Sequence, residues 1–162
     1  MGRLTGKLVL VTGAGTGIGQ GIALEAGREG AAVVLHYAHS RAGAEEVVDE
    51  IRRLGGRALA IQADLRAVSE CRRLVEEAVQ FLGGLDILVN NAGVTLTADF
   101  LATTEEMYDE VFAINMRSYF FCAQQAVPHI ARRGGGAILN ITSVHAFAGL
   151  PGHAAYAATK GA

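Results

Sequence analysis

The chain has 162 residues, of which 51% are hydrophobic and 19% charged, and its formal net charge is −2. This length suffices for one domain with a sizeable core. The slight negative charge gives no support to a nucleic-acid partner, and no apolar stretch reaches the roughly 18 residues that a membrane span needs. The first residues lack the apolar core of a signal peptide, and the two cysteines form no metal or redox spacing. We therefore expect a cytoplasmic protein with neither a nucleic-acid nor a membrane partner.

Short apolar runs alternate with helical patterns along the chain. A parallel sheet that is covered on both faces has strands of this kind, because both sides of each strand are buried. The predicted strands are residues 8–11, 31–37, 58–62, 86–90 and 137–141. The predicted helices are residues 17–29, 41–54, 68–82 and 104–132, and a last helix opens near residue 153. The fold class is therefore α/β: a single Rossmann-like domain over residues 1–162 with a doubly wound parallel sheet.

The glycine-rich stretch Thr12–Gly19 joins the first strand to the first helix. Its glycines let the backbone approach a bulky anion closely, and the helix behind them directs free N–H groups and its positive dipole end to the same place. We interpret the stretch as a phosphate cradle, although a plain glycine-rich turn would have the same composition. The spacing is Gly13-x-x-x-Gly17-x-Gly19 and differs from the common Gly-x-Gly-x-x-Gly.

This glycine spacing, preceded by Thr12, resembles that of the short-chain dehydrogenase/reductase family. Three further groups of residues carry the same resemblance. They are Asp64-Leu65 after the third strand, which match the adenine contact of that family, Asn90-Asn91-Ala92-Gly93 after the fourth strand, and the ordered set Asn115, Ser143, Tyr156 and Lys160. The resemblance implies an enzyme that transfers a hydride and interconverts a carbonyl and a secondary alcohol. The chain is most similar to 3-oxoacyl-(acyl-carrier-protein) reductases, with glucose or polyol dehydrogenases as the alternative.

Tyr156 and Lys160 are four residues apart, so that on a helix the phenol and the ammonium lie on one face. A nearby ammonium favours the phenolate, which would let Tyr156 act as a general acid/base near neutral pH. From these two residues alone, a plain surface pair is the alternative interpretation. The resemblance implies a catalytic set of four residues, in which Ser143 polarises the substrate oxygen and Lys160 also holds the ribose. Asn115 then bends its helix and holds a water that relays protons.

No acidic residue stands between Glu29 and Glu45, the region after the second strand where an acid would bind the ribose hydroxyls of NAD. Ser40 and Arg41 are there instead and could donate hydrogen bonds to a 2′-phosphate. We therefore predict NADP(H) as the cofactor. NAD(H) is the alternative, because Thr16 stands where many NADP-preferring relatives carry a basic residue. The resemblance implies these cofactor-binding residues: Gly13, Gly15, Thr16, Gly17, Ile18, Gly19, Ser40, Arg41, Asp64, Leu65, Asn91, Ala92, Gly93, Tyr156 and Lys160.

The five histidines show no metal-ligand spacing apart from His36 and His39, which we place in a turn. We therefore predict no metal site. His145 and His153 flank the catalytic set and are candidates for the mouth of a substrate site.

The resemblance covers the whole chain but about the first two-thirds of a usual family member. We expect the sheet to be truncated after its fifth strand, with Ile138, Leu139 and Ile141 poorly covered at an exposed edge, and the last helix to be only begun. Family members commonly assemble as dimers and tetramers. The full-length form is therefore expected to be a homo-oligomer, up to a homotetramer, that acts on a small carbonyl or alcohol. A non-catalytic nucleotide-binding or interaction fragment is the alternative.

Overall fold

Within residues 2–162, which the computed structural model describes, the chain forms five strands and six α-helices. The strands are β1 (Leu8–Val11), β2 (Ala32–Tyr37), β3 (Ala58–Gln62), β4 (Ile87–Asn90) and β5 (Ala137–Asn140). The helices are α1 (Gly17–Arg28), α2 (Arg41–Arg53), α3 (Val68–Leu82), α4 (Glu105–Phe112), α5 (Ser118–Arg132) and α6 (Ala154–Gly161). The predicted order of elements is confirmed. Outside the long helix predicted over residues 104–132, the observed ends differ from the predicted ones by one residue at most.

The strands form one parallel sheet in the order β3-β2-β1-β4-β5. The order changes direction at β1, because β2 and β3 extend the sheet on one side of it and β4 and β5 on the other. In register, Leu10 in β1 is flanked by Val34 in β2 and Leu88 in β4. The doubly wound fold is therefore confirmed, and all five strands have their carboxyl ends at the same edge of the sheet.

The two faces of the sheet are covered by two separate hydrophobic cores. Leu8 and Leu10 of β1 belong to the core formed with α3 and α5, whereas Val9 and Val11 belong to the core formed with α1 and α2. Because successive strand residues point to opposite faces, β1 needs apolar residues at every position. Each fully buried Leu or Val contributes about 1.5–3 kcal/mol to the free energy of unfolding.

The helix predicted over residues 104–132 runs without a break from Glu105 to Arg132, but it contains a π-helical turn that the pattern did not predict. Its start was predicted correctly, because the Thr104 hydroxyl accepts a hydrogen bond from the Met107 N–H at 3.3 Å. After α4, however, residues Ala113–Arg117 form a π-helical turn before α5 begins. The wider turn contains Asn115, whose side chain hydrogen-bonds to Val94 in a neighbouring loop. Such turns commonly occur where a helix carries a functional residue.

Asp86 fastens the start of β4 to β1 and to the end of α5. Its carboxylate accepts hydrogen bonds from the Leu8 N–H at 2.9 Å and from Arg133 Nε at 3.0 Å. Burial disfavours the charged carboxylate, but the hydrogen bonds from Arg133 and Leu8 outweigh it, so the pKa of Asp86 lies below its ordinary value. The Asp86 carboxylate therefore links β1, β4 and the end of α5 at the edge of the sheet opposite to the glycine loop.

The β5 strand forms one edge of the sheet. Its Ile138 and Leu139 are 36% and 50% exposed, and Ile141 just beyond it is partly buried. The predicted exposed edge is confirmed. None of the helices within residues 2–162 is both long and apolar enough to cross a membrane.

The contact between α1 and α2 gives a test of the packing. A Cβ at Gly27 in α1 would stand 2.5 Å from Cγ1 of the buried Ile51 in α2. We expect Gly27→Ala to lower the free energy of unfolding by about 1–3 kcal/mol, because the added methyl group overpacks this contact. Urea unfolding followed by circular dichroism measures the change.

Gly21→Ala is the matched control in the same helix. A Cβ at Gly21 would meet no atom within 4 Å. Because alanine has a higher helix propensity than glycine, Gly21→Ala should raise the free energy of unfolding by about 0.5–1 kcal/mol. Equal shifts for the two variants would contradict the packing described here.

Candidate active site

The carboxyl ends of four strands open into one cleft with a volume of about 560 Å³. Such a cleft is where ligands bind in open α/β sheets. Most of the predicted cofactor residues line it together: Gly13, Gly15, Thr16, Gly17, Ile18, Ser40, Asp64, Leu65, Asn91, Ala92 and Gly93. The predicted residues outside this lining are Gly19, Arg41, Tyr156 and Lys160.

The glycine loop, residues 12–19, packs closely against its neighbours. An ideal Cβ at Gly13 would lie 2.7 Å from Cα of Ala92, and one at Gly15 would lie 2.6 Å from the carbonyl oxygen of Ser40. Gly17 differs, because it has a φ of +58° and a Cβ there would meet nothing within 4 Å. The loop is therefore held tightly along its sides and is open where α1 begins.

Hydrogen bonds between Thr12 and Asn91 join the glycine loop to the end of β4. The Thr12 hydroxyl accepts from the N–H groups of Asn91 and Ala92 at 2.9 and 3.0 Å. The Asn91 amide nitrogen in turn donates to the carbonyl oxygens of Thr12 and Gly13 at 2.9 and 3.0 Å. A Cβ at Gly19 would collide with this amide. Gly19 thus leaves room for the Asn91 side chain and is not part of the cleft lining.

At the far end of the cleft, Ser40 lines the wall but Arg41 does not. Arg41 Nε donates to Glu45 at 2.7 Å, and its side chain is 72% exposed. The guanidinium in the lining belongs to Arg66, which holds the Asp64 carboxylate with a fork of hydrogen bonds of 2.6–3.0 Å. These hydrogen bonds lower the pKa of Asp64 below its ordinary value. Asp64 is therefore ionised and already paired.

Asn115 joins the loop after β4 to α6. Its amide nitrogen donates to the Val94 carbonyl at 2.8 Å and to the Thr159 hydroxyl at 3.2 Å, and its oxygen accepts from the Val94 N–H at 2.8 Å. Gly93 stands beside this arrangement, since a Cβ there would lie 3.3 Å from Asn115 Oδ1 and 3.5 Å from Lys160 Nζ. Gly93 is thus the junction between the cleft and the predicted catalytic residues.

Lys160 is buried, and its ammonium group is held by two oxygen atoms. It donates to the Ile141 carbonyl at 2.9 Å and to the Tyr119 hydroxyl at 3.3 Å. It also lies 5.9 Å from the ring centre of Tyr156. Burial lowers the pKa of Lys160 and raises the pKa of Tyr119. The ammonium therefore lies on the same side as the Tyr156 ring, as the i, i+4 spacing predicts.

Tyr156, a predicted catalytic residue, forms an aromatic cluster with His145 and His153. The His145 ring centre lies 5.4 Å from that of Tyr156 and 5.1 Å from that of His153. The Ser143 hydroxyl accepts a hydrogen bond from the His145 N–H at 3.2 Å. Nδ1 of His145 is buried and has no hydrogen-bond partner within residues 2–162. His145 thus contacts Ser143 through its backbone and Tyr156 through its ring.

Sequence reasoning missed the roles of three residues near the cleft. His36 lies inside β2 and is 2% exposed, so the strand predicted over residues 31–37 was right and the placement of His36 in a turn with His39 was wrong. Tyr119 binds the Lys160 ammonium, and Arg66 binds Asp64. For His36 a signal existed, because an imidazole inside an otherwise apolar strand needs hydrogen-bond partners. Across the part of the chain that the structure describes, no three His, Cys, Asp or Glu side chains group in a way that could hold a metal ion.

The residues around Gly17 fit a phosphate group. The N–H groups of Gly17, Ile18 and Gly19 donate to no acceptor within residues 2–162, and the first turn of α1 contains no acidic residue. Free N–H groups and the positive end of the helix dipole favour an anion at this point. A cleft with a phosphate site at one end and hydroxyl and carboxylate groups at the other fits a nucleotide.

Together, the strand order, the glycine loop and the cleft define a nucleotide-binding domain of the doubly wound α/β class. Comparison with known proteins specifies it further. The model of the short chain dehydrogenase family matches residues 7–162, and the chain belongs to this family.

Similar proteins agree with this assignment. A hydroxynaphthalene reductase-like protein from Metarhizium robertsii is 50% identical over 160 residues, which are 98% of this chain and 59% of that protein. A short chain dehydrogenase/reductase from Aspergillus aculeatus is 48% identical over 159 residues, or 98% of this chain and 60% of that protein. The chain thus spans about 60% of the length of these relatives.

Solved structures show the same fold. The crystal structure of a short chain dehydrogenase from Burkholderia cenocepacia in complex with NADP has a TM-score of 0.93 and 38% identity, covering 98% of this chain and 64% of that one. The structure of acetoin dehydrogenase from Salmonella typhimurium has a TM-score of 0.91 and 35% identity, covering 96% and 62%.

The burial of His36 gives a test by pH. Burial lowers its pKa from 6.5 to about 4, so between these values the unfolded chain binds a proton that the folded chain does not. The stabilising contribution is therefore complete above about pH 6.5 and is lost as the pH falls towards 4. We expect this group to lower the free energy of unfolding by about 2 kcal/mol between pH 7 and pH 5.

The measurement is urea unfolding of the wild type and of His36→Asn at both pH values. The variant has no titrating group at this position, so it should lose less stability than the wild type on acidification. Parallel losses in the two proteins would show that His36 is not held neutral by the fold.

Proposed function

We propose that the protein is an NADP(H)-dependent oxidoreductase that interconverts a carbonyl compound and a secondary alcohol. The single observation that carries this proposal is the junction at Gly93. This residue lies in the lining of the nucleotide cleft and beside both Asn115 and Lys160. A nucleotide in the cleft would therefore end next to the predicted catalytic residues. When bound, the nicotinamide ring supplies or accepts the hydride.

The side chains beyond Gly93 have the proton chemistry that this reaction needs. In the direction of reduction, the Tyr156 hydroxyl donates its proton to the substrate oxygen as that oxygen becomes an alkoxide. The Lys160 ammonium, 5.9 Å from the tyrosine ring centre, stabilises the resulting phenolate. The Ser143 hydroxyl accepts from the His145 N–H, and its own proton remains available for the substrate oxygen.

Asn115 and Tyr119 support these groups without reacting. Asn115 holds the Val94 backbone and the Thr159 hydroxyl, so the π-helical turn fixes α6 relative to the cleft. Tyr119 holds the Lys160 ammonium at 3.3 Å. The water-mediated proton relay that the family resemblance assigns to Asn115 remains part of the proposal.

For the substrate, we propose a 3-oxoacyl compound, with a glucose- or polyol-type alcohol as the alternative. A second candidate is a cyclic aromatic ketone, because a relative that is 50% identical is named a hydroxynaphthalene reductase-like protein. The aromatic cluster of His145, His153 and Tyr156 offers ring faces and edges to such a substrate. A panel containing all three chemical classes distinguishes these candidates.

We also propose self-association into a dimer or tetramer through α5 and the π-helical turn before it. Met116, Phe120 and Val127 are exposed there and lie at spacings of four and seven residues, which places them on one side of the helix. An exposed apolar row of this kind is typical of an interface between subunits.

Replacing the tyrosine tests the reaction. Tyr156→Phe should lower kcat for NADPH-dependent carbonyl reduction by about 10²–10⁴-fold, because it removes the proton that the substrate oxygen needs. Binding of NADPH, followed by its fluorescence, should be nearly unchanged. Tyr108→Phe is the matched control, since Tyr108 stacks on Phe112 in α4, away from the cleft lining. A protein that binds NADPH but reduces no member of the substrate panel would instead be a non-catalytic nucleotide-binding protein.

Cofactor preference has a separate test. The proposal requires the exposed Arg41 side chain, next to Ser40 in the cleft wall, to turn from Glu45 to the 2′-phosphate. Arg41→Ala should then weaken NADPH binding by about tenfold or more and leave NADH binding unchanged, because a charge-assisted hydrogen bond is lost. Arg53→Ala is the control at the other end of α2, where Arg53 pairs with Glu50 as Arg41 pairs with Glu45. Fluorescence titration measures both cofactors. Tighter binding of NADH than of NADPH by the wild type would favour NAD(H).

A further inference from the structure

We propose that His36 is a positioning residue that holds the glycine loop in the shape required for the nucleotide. The inference rests on the proposed nucleotide site and adds to it a residue from β2. His36 lines the cleft, and its imidazole joins the loop after β1 to the loop after β3.

The two ring nitrogens of His36 have different partners. Nδ1 lies 3.0 Å from the Gly13 nitrogen, and Nε2 lies 3.0 Å from the Ala63 carbonyl oxygen. Because the Gly13 N–H is a donor and the Ala63 carbonyl is an acceptor, Nδ1 must be unprotonated and Nε2 must carry the hydrogen. The contacts therefore specify a single neutral tautomer.

The backbone of His36 reinforces the same attachment. Its carbonyl oxygen accepts a hydrogen bond from the Ala14 N–H at 2.7 Å. Two successive amides of the loop, those of Gly13 and Ala14, are thus turned towards β2. The amides of Gly17 and Ile18 stay free for a phosphate, as shown by their lack of an acceptor within residues 2–162. His36 therefore helps to decide which amides of the loop serve the fold and which serve the ligand.

The second partner of the imidazole lies next to the other end of the cleft. Ala63 immediately precedes Asp64, the predicted adenine contact. One side chain therefore ties the phosphate end of the site to the adenine end. A shift of either loop would stretch a hydrogen bond to a buried group, and an unpaired buried group is costly.

The surroundings keep the imidazole neutral. Burial is the largest effect on its pKa and disfavours a proton, as does the charge of Arg73 in α3, whereas the hydrogen bond to Ala63 and the charge of Asp64 favour one. A protonated ring would direct an N–H at the Gly13 N–H and break the attachment. The glycine loop is therefore built around an uncharged histidine.

Two substitutions separate the two attachments. In His36→Asn, the side-chain oxygen stands near the position of Nδ1 and can accept from Gly13, but the side chain is too short to reach Ala63. In His36→Gln, the longer side chain can donate to Ala63 but presents no acceptor to Gly13. We expect His36→Gln to weaken NADPH binding by about tenfold, and His36→Asn to change it by less than about threefold.

The experiment measures three quantities on each variant and the wild type. NADPH and NADH fluorescence titrations give the dissociation constants, urea unfolding gives the stability, and amide hydrogen exchange gives the protection of Gly13 without any cofactor. We expect His36→Gln, but not His36→Asn, to speed exchange of the Gly13 amide by about tenfold or more. A merely structural role would instead make cofactor affinity follow the loss of stability in both variants.

The outcomes are distinguishable from a failure of the proposed function. Equal dissociation constants for the two variants, or unchanged exchange of Gly13 in His36→Gln, would overturn the positioning role of His36. Absence of NADPH and NADH binding by the wild type would overturn the proposed function and the link to affinity. In that case, Gly13 exchange alone would still decide whether His36 holds the loop.

Discussion

The candidate site depends first on the attachment of the glycine loop to the end of β4. Four hydrogen bonds cross this junction: the Thr12 hydroxyl accepts two from backbone N–H groups after β4, and the Asn91 side-chain amide donates two to carbonyl oxygens of the loop. The attachment is possible only because Gly13 and Gly19 have no side chains that would meet Ala92 and Asn91. With the loop fixed in this way, the first turn of α1 has free amides at the edge of the cleft, which is the basis for binding a phosphate.

A second attachment connects that cleft to the predicted catalytic residues. Asn115 satisfies both backbone groups of Val94 and reaches Thr159 in α6. Residues 113–117, which contain Asn115, form a π-helical turn instead of a regular α-helical turn. The π-helical turn thus accompanies a buried amide that joins three segments distant in sequence.

Whether a feature of the fold or the site could be predicted from the sequence depends on whether it follows from a sequence pattern or from the geometry of particular side chains. The apolar runs and the glycine positions determine the elements, because burial on both faces of a parallel sheet requires them. The start of a helix at residue 104 followed from a local pattern as well, whereas the exposed edge at Ile138 and Leu139 was expected from the family resemblance. By contrast, the pairing of Arg41 with Glu45 and of Asp64 with Arg66 depends on side-chain geometry. The sequence predicted the charges of these groups but not their partners.

The sequence by itself determined the α/β class and the order of the elements, because these depend on hydrophobic period and on glycine along one chain. Only the tertiary structure decided how the site is held. It placed His36 inside β2 between Gly13 and Ala63, and Tyr119 beside the Lys160 ammonium. The physical reason is that a buried polar group must find a hydrogen-bond partner wherever the fold brings one near, and such partners lie far away in sequence.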